Sequence, residues 1–479
     1  MITKQPNLDS VTSINEDGSH YIIHPADVQG IFTFWRRVIG VLLIAVYVAL
    51  PWIPINGAPA VFFDLVHRKF HFFGLTFLTE DLWLGFFLFS GLGFGLFYAT
   101  ALFGRIWCGA ACPYTVFLEH VFRRIERVID GDCNARRRLE QAPWTGGKIV
   151  RRIVKHGIYL LAATAIAHVF VSYFVSLPRL YGYMRQSPLD HVGAFGVMLF
   201  LTGALYFCFS WFREQFCIIL CPYGRIQSAL TDDDTVIIGY DEARGEPRGK
   251  ANDENSGDCI NCLRCVQVCP TGIDIRNGLQ MECIGCAACM DACNKIMDKV
   301  KRPRGLIRYD SLNGLAGGKR RFLRPRIYLY TGLMILGVGV MALFLSRLKP
   351  AKVEINRMPG RPYYLTDTAI RNQFRVVFTT KKSEETEFNV TVKGLPDQAT
   401  VAGLEGSFTV PPQSEIEKII FIQVPRKGYQ GQFTIDLESL VEPGDFTLRD
   451  DIEFLGPSPY ILNAEEEQKE AAKKESSHE

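Results

Sequence analysis

The chain has 479 residues, enough for several domains. Hydrophobic residues make up 48% and aromatic residues 12%, beside 22% charged residues, the mixture expected of membrane spans alternating with charged loops. The net charge of only +3 gives no case for a nucleic-acid partner.

Residues 1–35 read as a polar cytoplasmic segment with Asp9, Glu16 and Asp17, lacking the basic head and small-residue cleavage site of a signal peptide. Five apolar stretches follow, each near the ~20 residues that cross a bilayer. They lie at about 36–55, 82–103, 157–176, 191–212 and 327–346. The first four define a transmembrane domain over 36–230, residues 231–326 an insert, and 327–346 a fifth span. Lys and Arg crowd the loops 104–156 and 213–326, for example Arg123, Arg124, Arg136, Arg137 and Arg138 in one and Lys319, Arg320, Arg321 and Arg324 in the other. Loops 56–81 and 177–190 are poor in them. The positive-inside rule puts both rich loops and the N-terminus in the cytoplasm, and the C-terminal part in the periplasm. Residues 350–463 alternate apolar and polar in short runs, such as 374–378 and 387–392, separated by turn signals, which predicts a small all-β sandwich. The tail 464–479 is charged and reads as disordered or a frayed helix.

The 14 cysteines are no disulfide framework, since most fall in ligand-like runs. Cys259, Cys262, Cys265 and Cys269 spell C-x2-C-x2-C-x3-C, followed by Pro270. The same spacing recurs at Cys283, Cys286, Cys289 and Cys293. This is the two-cluster ferredoxin signature, in which the fourth cysteine of each run ligates the other run's cluster. Cys259, Cys262, Cys265 and Cys293 are thus assigned to one [4Fe–4S] cluster, and Cys269, Cys283, Cys286 and Cys289 to the second. Structural zinc is the bland alternative, but zinc uses four ligands, usually as two separated pairs, and two tandem runs of four fit it poorly. Clusters of this kind call for a reducing compartment.

A second cysteine set lies near the spans. Trp107-Cys108-x3-Cys112-Pro113-Tyr114 and Phe216-Cys217-x3-Cys221-Pro222-Tyr223 share the form aromatic-C-x3-C-P-Y, each after a span. Positions i and i+4 share a helix face, so each motif offers two sulfurs in one direction. Four soft thiolates suit Cu(I) or zinc, and a redox-active disulfide is the competing reading. Plain packing would explain one such pair better than it explains two. Cys133 and Cys208 match no pattern. Arg105 and Arg213 read as inner-surface anchors, and His168 as an intramembrane candidate by default.

With five spans, paired C-x3-C-P motifs, a tandem ferredoxin run and a terminal β-domain, the chain resembles the CcoG/FixG/RdxA family over nearly its whole length. The resemblance implies a multi-domain bacterial inner-membrane protein: a transmembrane helical bundle, a cytoplasmic two-cluster ferredoxin-like (α+β) insert and a C-terminal Ig-like sandwich. It further implies a role in assembling the cbb3-type cytochrome c oxidase, and cupric reductase activity converting Cu(II) to Cu(I). Cys108, Cys112, Cys217 and Cys221 would then be the copper or redox thiols. Implied partners are the lipid bilayer, oxidase subunits or copper-assembly proteins, a cytoplasmic electron donor and a second copy of the chain. Two other readings stay open: a quinol dehydrogenase subunit of the NapH or NosR type, which shares these cysteine motifs, and a non-enzymatic redox-sensing assembly scaffold.

Overall fold

The computed structural model describes residues 22–465, apart from 79–80, 252–254, 348, 383, 405, 428, 445 and 463. The first 21 residues and nearly all of the expected tail lie outside them. Contacts divide the chain into two units. The first runs to Phe344 but omits Ile55–Ala58 and Lys69–Thr79, which belong with the second unit from Leu345 onward.

Five long apolar helices stand in the first unit and at its end: α1 (Ile31–Ala49), α2 (Leu82–Phe103), α3 (Gly146–Val171), α4 (Val192–Phe207, continuing as a wide turn to Phe212) and α6 (Pro325–Ser346). Their flanks expose Phe86, Phe89, Leu161, Phe200, Leu336 and Val338, each more than 60% accessible. Such surface is a liability in water and is satisfied by hydrocarbon, and a helix pairs its own backbone groups, so these elements suit a bilayer. All five expected spans are helices, with shifted ends. The first begins at Ile31 rather than 36 and gives way before Pro51, because proline cannot continue the ladder. The third begins at Gly146, eleven residues before the expected 157. Its basic first turns look like loop in the sequence, but Thr145 caps the helix by accepting from the Lys148 amide. Lys148 Nζ donates to the carbonyls of Glu140 (3.0 Å) and Ala142 (2.6 Å), and Lys155 pairs with Asp130 at 2.7 Å.

The insert is built on a two-stranded antiparallel ribbon, β1 (Ile237–Tyr240) against β2 (Ile307–Asp310), with Ile238 opposite Tyr309. Both cysteine runs lie between these strands, and helix α5 (Ala288–Lys299) carries the end of the second. The N-terminal segment is not separate from this body. Ala26 is buried against Val268, Ala288 and Ala292, and its amide donates to the Gln267 carbonyl at 2.8 Å. The Thr33 amide and hydroxyl both donate to Asp291 of α5 at 2.7 Å, tying the start of α1 to the insert.

The second unit is an antiparallel sandwich. One sheet orders β7 (Thr400–Ala402), β9 (Glu415–Pro425), β5 (Ala369–Thr380) and β3 (Ala351–Arg357), with β4 (Tyr364–Leu365) beside β5. The other orders β8 (Ser407–Val410), β6 (Thr386–Lys393), β10 (Phe433–Glu442) and β11 (Phe446–Phe454). Alternate residues face inward, as the strand period demands, so Phe374, Val376, Phe378, Phe388, Ile420, Leu437 and Val441 are fully buried in one core. The hairpin Lys69–Leu78, from the loop between the first two spans, belongs to this unit: Lys69 Nζ donates to the Gln413 carbonyl at 2.6 Å, and Gln413 donates to the Asn56 carbonyl.

Candidate functional site

The two cysteine runs of the insert share one backbone. In the first, Asn261 (φ 53°) and Leu263 (φ 56°) are left-handed; in the second, Gly285 (φ 68°) and Ala287 (φ 59°) take the same places. Alternating hands turn successive amides inward into an anion-binding concavity, and three of the four residues do so against the ~1–2 kcal/mol preference of L-residues. Such turns are suited to presenting three close-spaced thiols to a polynuclear cluster.

The fourth thiol of each set comes from the other run. A small cavity is lined jointly by Cys259, Cys262, Cys265 and Cys293, with Tyr240, Met297 and Leu306 around it. Burial, followed by the neighbouring thiolates of Cys265, Cys262 and Cys259, pushes the Cys293 thiol up to about 12. Burial and then Cys286, Cys283 and Cys269 likewise push Cys289 well above the usual thiol range. Four thiols this close in an apolar setting cannot all ionise unaided, and bound cations would relieve the repulsion. Two tandem runs supplying eight thiols suit a pair of polynuclear clusters better than a zinc ion, which takes four ligands. The eight residues thus fit the group expected of them. Arg276 lies beside the first set, held by Asp274 at 2.5 Å and Asn261 at 2.7 Å.

The C-x3-C-P motifs stand at the ends of α2 and α4. Cys108 lies in a short helix, Ile106–Ala110, and Cys112 precedes the helix Pro113–Phe117; Cys217 lies in the turn Phe216–Leu220, and Cys221 precedes the helix Pro222–Leu230. The structure brings the motifs together. Tyr114 stacks on Phe216 with ring centroids 4.3 Å apart, and Gln227 Nε2 lies 3.7 Å from Cys108 Sγ. Burial, then the thiolates of Cys112, Cys108 and Cys221, pushes Cys217 up to about 12. Burial also raises Cys108, with Arg105 pulling the other way.

The first motif also touches the second cysteine turn of the insert. A Cβ placed on Gly109 would lie 2.8 Å from the backbone of both Gly285 and Cys286, and one on Gly285 would lie 3.0 Å from the Arg105 carbonyl. Only glycine permits this approach. Gly109→Ala should push the two turns apart. Iron content is then expected to stay unchanged, while the rate of electron passage between insert and motif falls at least severalfold in rapid-mixing absorbance.

Of the two arginines expected as inner-surface anchors, Arg213 is an internal residue. Arg213 is 2% exposed and pairs with Glu126 at 2.6 Å; Arg136 also reaches Glu126, and Arg123 pairs with Glu214 at 3.1 Å and donates to the Pro270 carbonyl at 2.9 Å. Arg105 instead donates to the Met281 carbonyl, between the first motif and the turn bearing Cys283. Basic residues counted as topology signals in the sequence are, at these positions, internal struts. Cys208 offers its carbonyl to Tyr114 at 2.9 Å, and Cys133 packs near Ala26 and Val268. His168 Nδ1 lies 2.8 Å from the Thr164 carbonyl within its own helix, which assigns the proton to that nitrogen.

Apolar helices, two fitted sets of four thiols and a thiol-bearing motif packed on one of them define a class: a membrane-embedded iron–sulfur electron-transfer protein. Comparison with known proteins agrees. Residues 212–312 match a 4Fe-4S dicluster domain, 83–130 a 4Fe-4S binding domain, and 341–457 the Ig-like fold at the C-terminus of FixG. The chain is 33% identical over 462 residues to the nitrogen fixation protein FixG of Rhizobium meliloti, covering 84% of this chain and 86% of that one. It is 37% identical to protein RdxA of Cereibacter sphaeroides (78% and 82% covered) and 35% identical to RdxB of the same organism (84% and 88%). The chain belongs to the FixG/RdxA family.

Proposed function

We propose that this chain takes electrons at its ferredoxin insert and delivers them, through Cys108, Cys112, Cys217 and Cys221, to Cu(II), forming Cu(I) for maturation of a cbb3-type oxidase in the bacterial inner membrane. The observation that carries this reading is the backbone contact between Gly109 and the Gly285–Cys286 turn, which seats the thiol motif on the second ligand set. Cys259, Cys262, Cys265 and Cys293, and Cys269, Cys283, Cys286 and Cys289, would hold two [4Fe–4S] clusters, which would supply one-electron storage and transfer. The protein's own contribution is positional. Left-handed turns hold the thiols, Arg105 lends positive charge beside Cys108 and Cys283, and apolar burial keeps water away. Soft sulfur favours Cu(I) over Cu(II), so thiols at the end of the path favour the reduced product.

The insert is assigned to the cytoplasm on the strength of the loop basic residues that stay exposed, such as Arg137, Arg138, Lys319 and Arg321. Five spans then put the loop 56–81 and the sandwich on the same opposite side, and the docking of Lys69 on Gln413 supports that arrangement. The oxidase role rests on the family resemblance. To test the activity, Cys108, Cys112, Cys217 and Cys221 are replaced together by Ser and Cu(I) formation is followed with a Cu(I)-specific chelator. A loss of tenfold or more is expected, and an unchanged rate removes these residues from the reaction.

One observation favours a second reading, quinol oxidation. An apolar cavity of about 820 Å³ opens between α3 and α4, lined by His168, Tyr183, Gln186 and His191 among Leu and Phe side chains. Its size and few polar groups suit a quinol headgroup. Reduction of the insert by a soluble quinol analogue, abolished by His168→Leu, would establish that reading.

A further inference from the structure

The two C-x3-C-P motifs are copies in backbone as well as in sequence. Four residues before each first cysteine stand Gly104 (φ 57°, ψ −134°) and Arg213 (φ 49°, ψ −125°), the same left-handed break at the end of a span. The second cysteines match as well: Cys112 (φ −59°, ψ 123°) and Cys221 (φ −68°, ψ 111°) each lead into a proline-started helix.

The copies also grip each other reciprocally. Tyr114 of the first donates to the Arg213 carbonyl at the head of the second, at 2.5 Å. Tyr223 of the second lies 2.5 Å from the Thr100 hydroxyl in α2, which leads to the first. Gln227 reaches back from the second to Cys108, and a Cβ on Gly224 would meet the Cys217 carbonyl and the Arg105 guanidinium. Two matched half-sites thus each contribute two thiols to one small region.

We propose that Cys108, Cys112, Cys217 and Cys221 together hold a third [4Fe–4S] cluster, completed across the two repeats. This rests on the reading of these thiols as the end of the electron path and specifies what stands there. Three observations carry it. The donor set is all thiolate, a set that selects Cu(I), zinc or iron–sulfur. The two thiol pairs are held against each other, with Tyr114 stacked on Phe216 at 4.3 Å and Gln227 of the second repeat 3.7 Å from Cys108 of the first. The 4Fe-4S binding match over 83–130 contains only Cys108 and Cys112, half of the four thiolates a cubane takes, and the missing pair is what the second repeat supplies. The contact of Gly109 with Cys286 then sets this site next to the second ferredoxin set.

The test is iron and acid-labile sulfide per chain, with Mössbauer spectra, on full-length protein purified anaerobically. About twelve irons are expected in the native chain and about eight in the fourfold Cys→Ser variant, since each cubane holds four. The paramagnetic resonance of the two ferredoxin clusters should persist in that variant, which controls for folding. The milder Cys112→Ser/Cys221→Ser variant should show the same loss of a third. Eight irons in the native chain, or a thiol-dependent copper ion in place of the extra four, overturns the proposal. Twelve irons without copper reduction uphold it and defeat the functional reading instead; eight irons with copper reduction intact do the reverse.

Discussion

Cys269→Ser should strip the cluster of the second run and leave that of the first, although Cys269 belongs to the first run in sequence. The reason lies in the crossing. Cys293 lines the cavity of Cys259, Cys262 and Cys265, whereas Cys269 lies within electrostatic reach of Cys283, Cys286 and Cys289. Cys293→Ser should have the complementary effect. Each substitution is expected to remove about four irons per chain and one of the two reduced-cluster resonance signals. The loss should also loosen the insert, because ligand binding in a small metal domain is part of its folding free energy. That core is thin: Ile238, Tyr240, Ile275, Met290, Met297, Leu306 and Ile307 pack directly around Cys259 and Cys265. Protease sensitivity between 255 and 312 should therefore rise sharply in both variants. If Cys269→Ser instead quenches the signal that Cys262→Ser quenches, the two sets are not crossed.

Glu126→Gln is expected to be the most damaging single substitution away from the cysteines. Glu126 sits between Arg213 and Arg136, all three at most 5% exposed. Arg213 and its neighbours hold the Glu126 carboxyl far below the usual carboxylate range, against the opposing effect of burial. Removing that charge strands buried guanidinium groups, which costs about 3–5 kcal/mol. Loss of well-folded protein in detergent, read as a lower midpoint of thermal aggregation, is the measurement. Glu126→Gln combined with Arg213→Met should be milder than Glu126→Gln alone, since the pair is coupled. The pH dependence has a definite sign. Because the folded carboxyl is depressed, its stabilisation is complete above the ordinary carboxylate value and is lost only as pH falls toward the depressed one. Neutral and mildly acidic buffers should therefore leave this strut intact.

Much of the architecture was legible because its determinants are local. Twenty-residue apolar runs, two-residue alternation and cysteine spacing each report on a single element. What escaped depends on chain segments far apart meeting. Nothing around Ala26 announces that it will lie on Gln267, and nothing in Lys69 announces Gln413. Arg213 is instructive: a basic residue at the end of a span looks like an interfacial anchor, and only its meeting with Glu126 shows otherwise. The repeat was visible as two C-x3-C-P motifs, but the natural alignment of Arg105 with Arg213 is one residue off. The backbone pairs Gly104 with Arg213, because the matched feature is a left-handed break and not a charge. The α3 start is hidden for a related reason: the lysines of its first turns bury their ammonium groups on carbonyls and on Asp130, which composition cannot show.

The claim on which the account turns is that the insert empties its electrons through the thiol motifs. Anaerobic protein with fully reduced clusters, mixed rapidly with Cu(II), addresses it in a single turnover. Cluster absorbance is expected to recover in step with Cu(I) formation, one copper per electron, and recovery should slow in Gly109→Ala. Clusters that stay reduced in the presence of excess Cu(II) would contradict it.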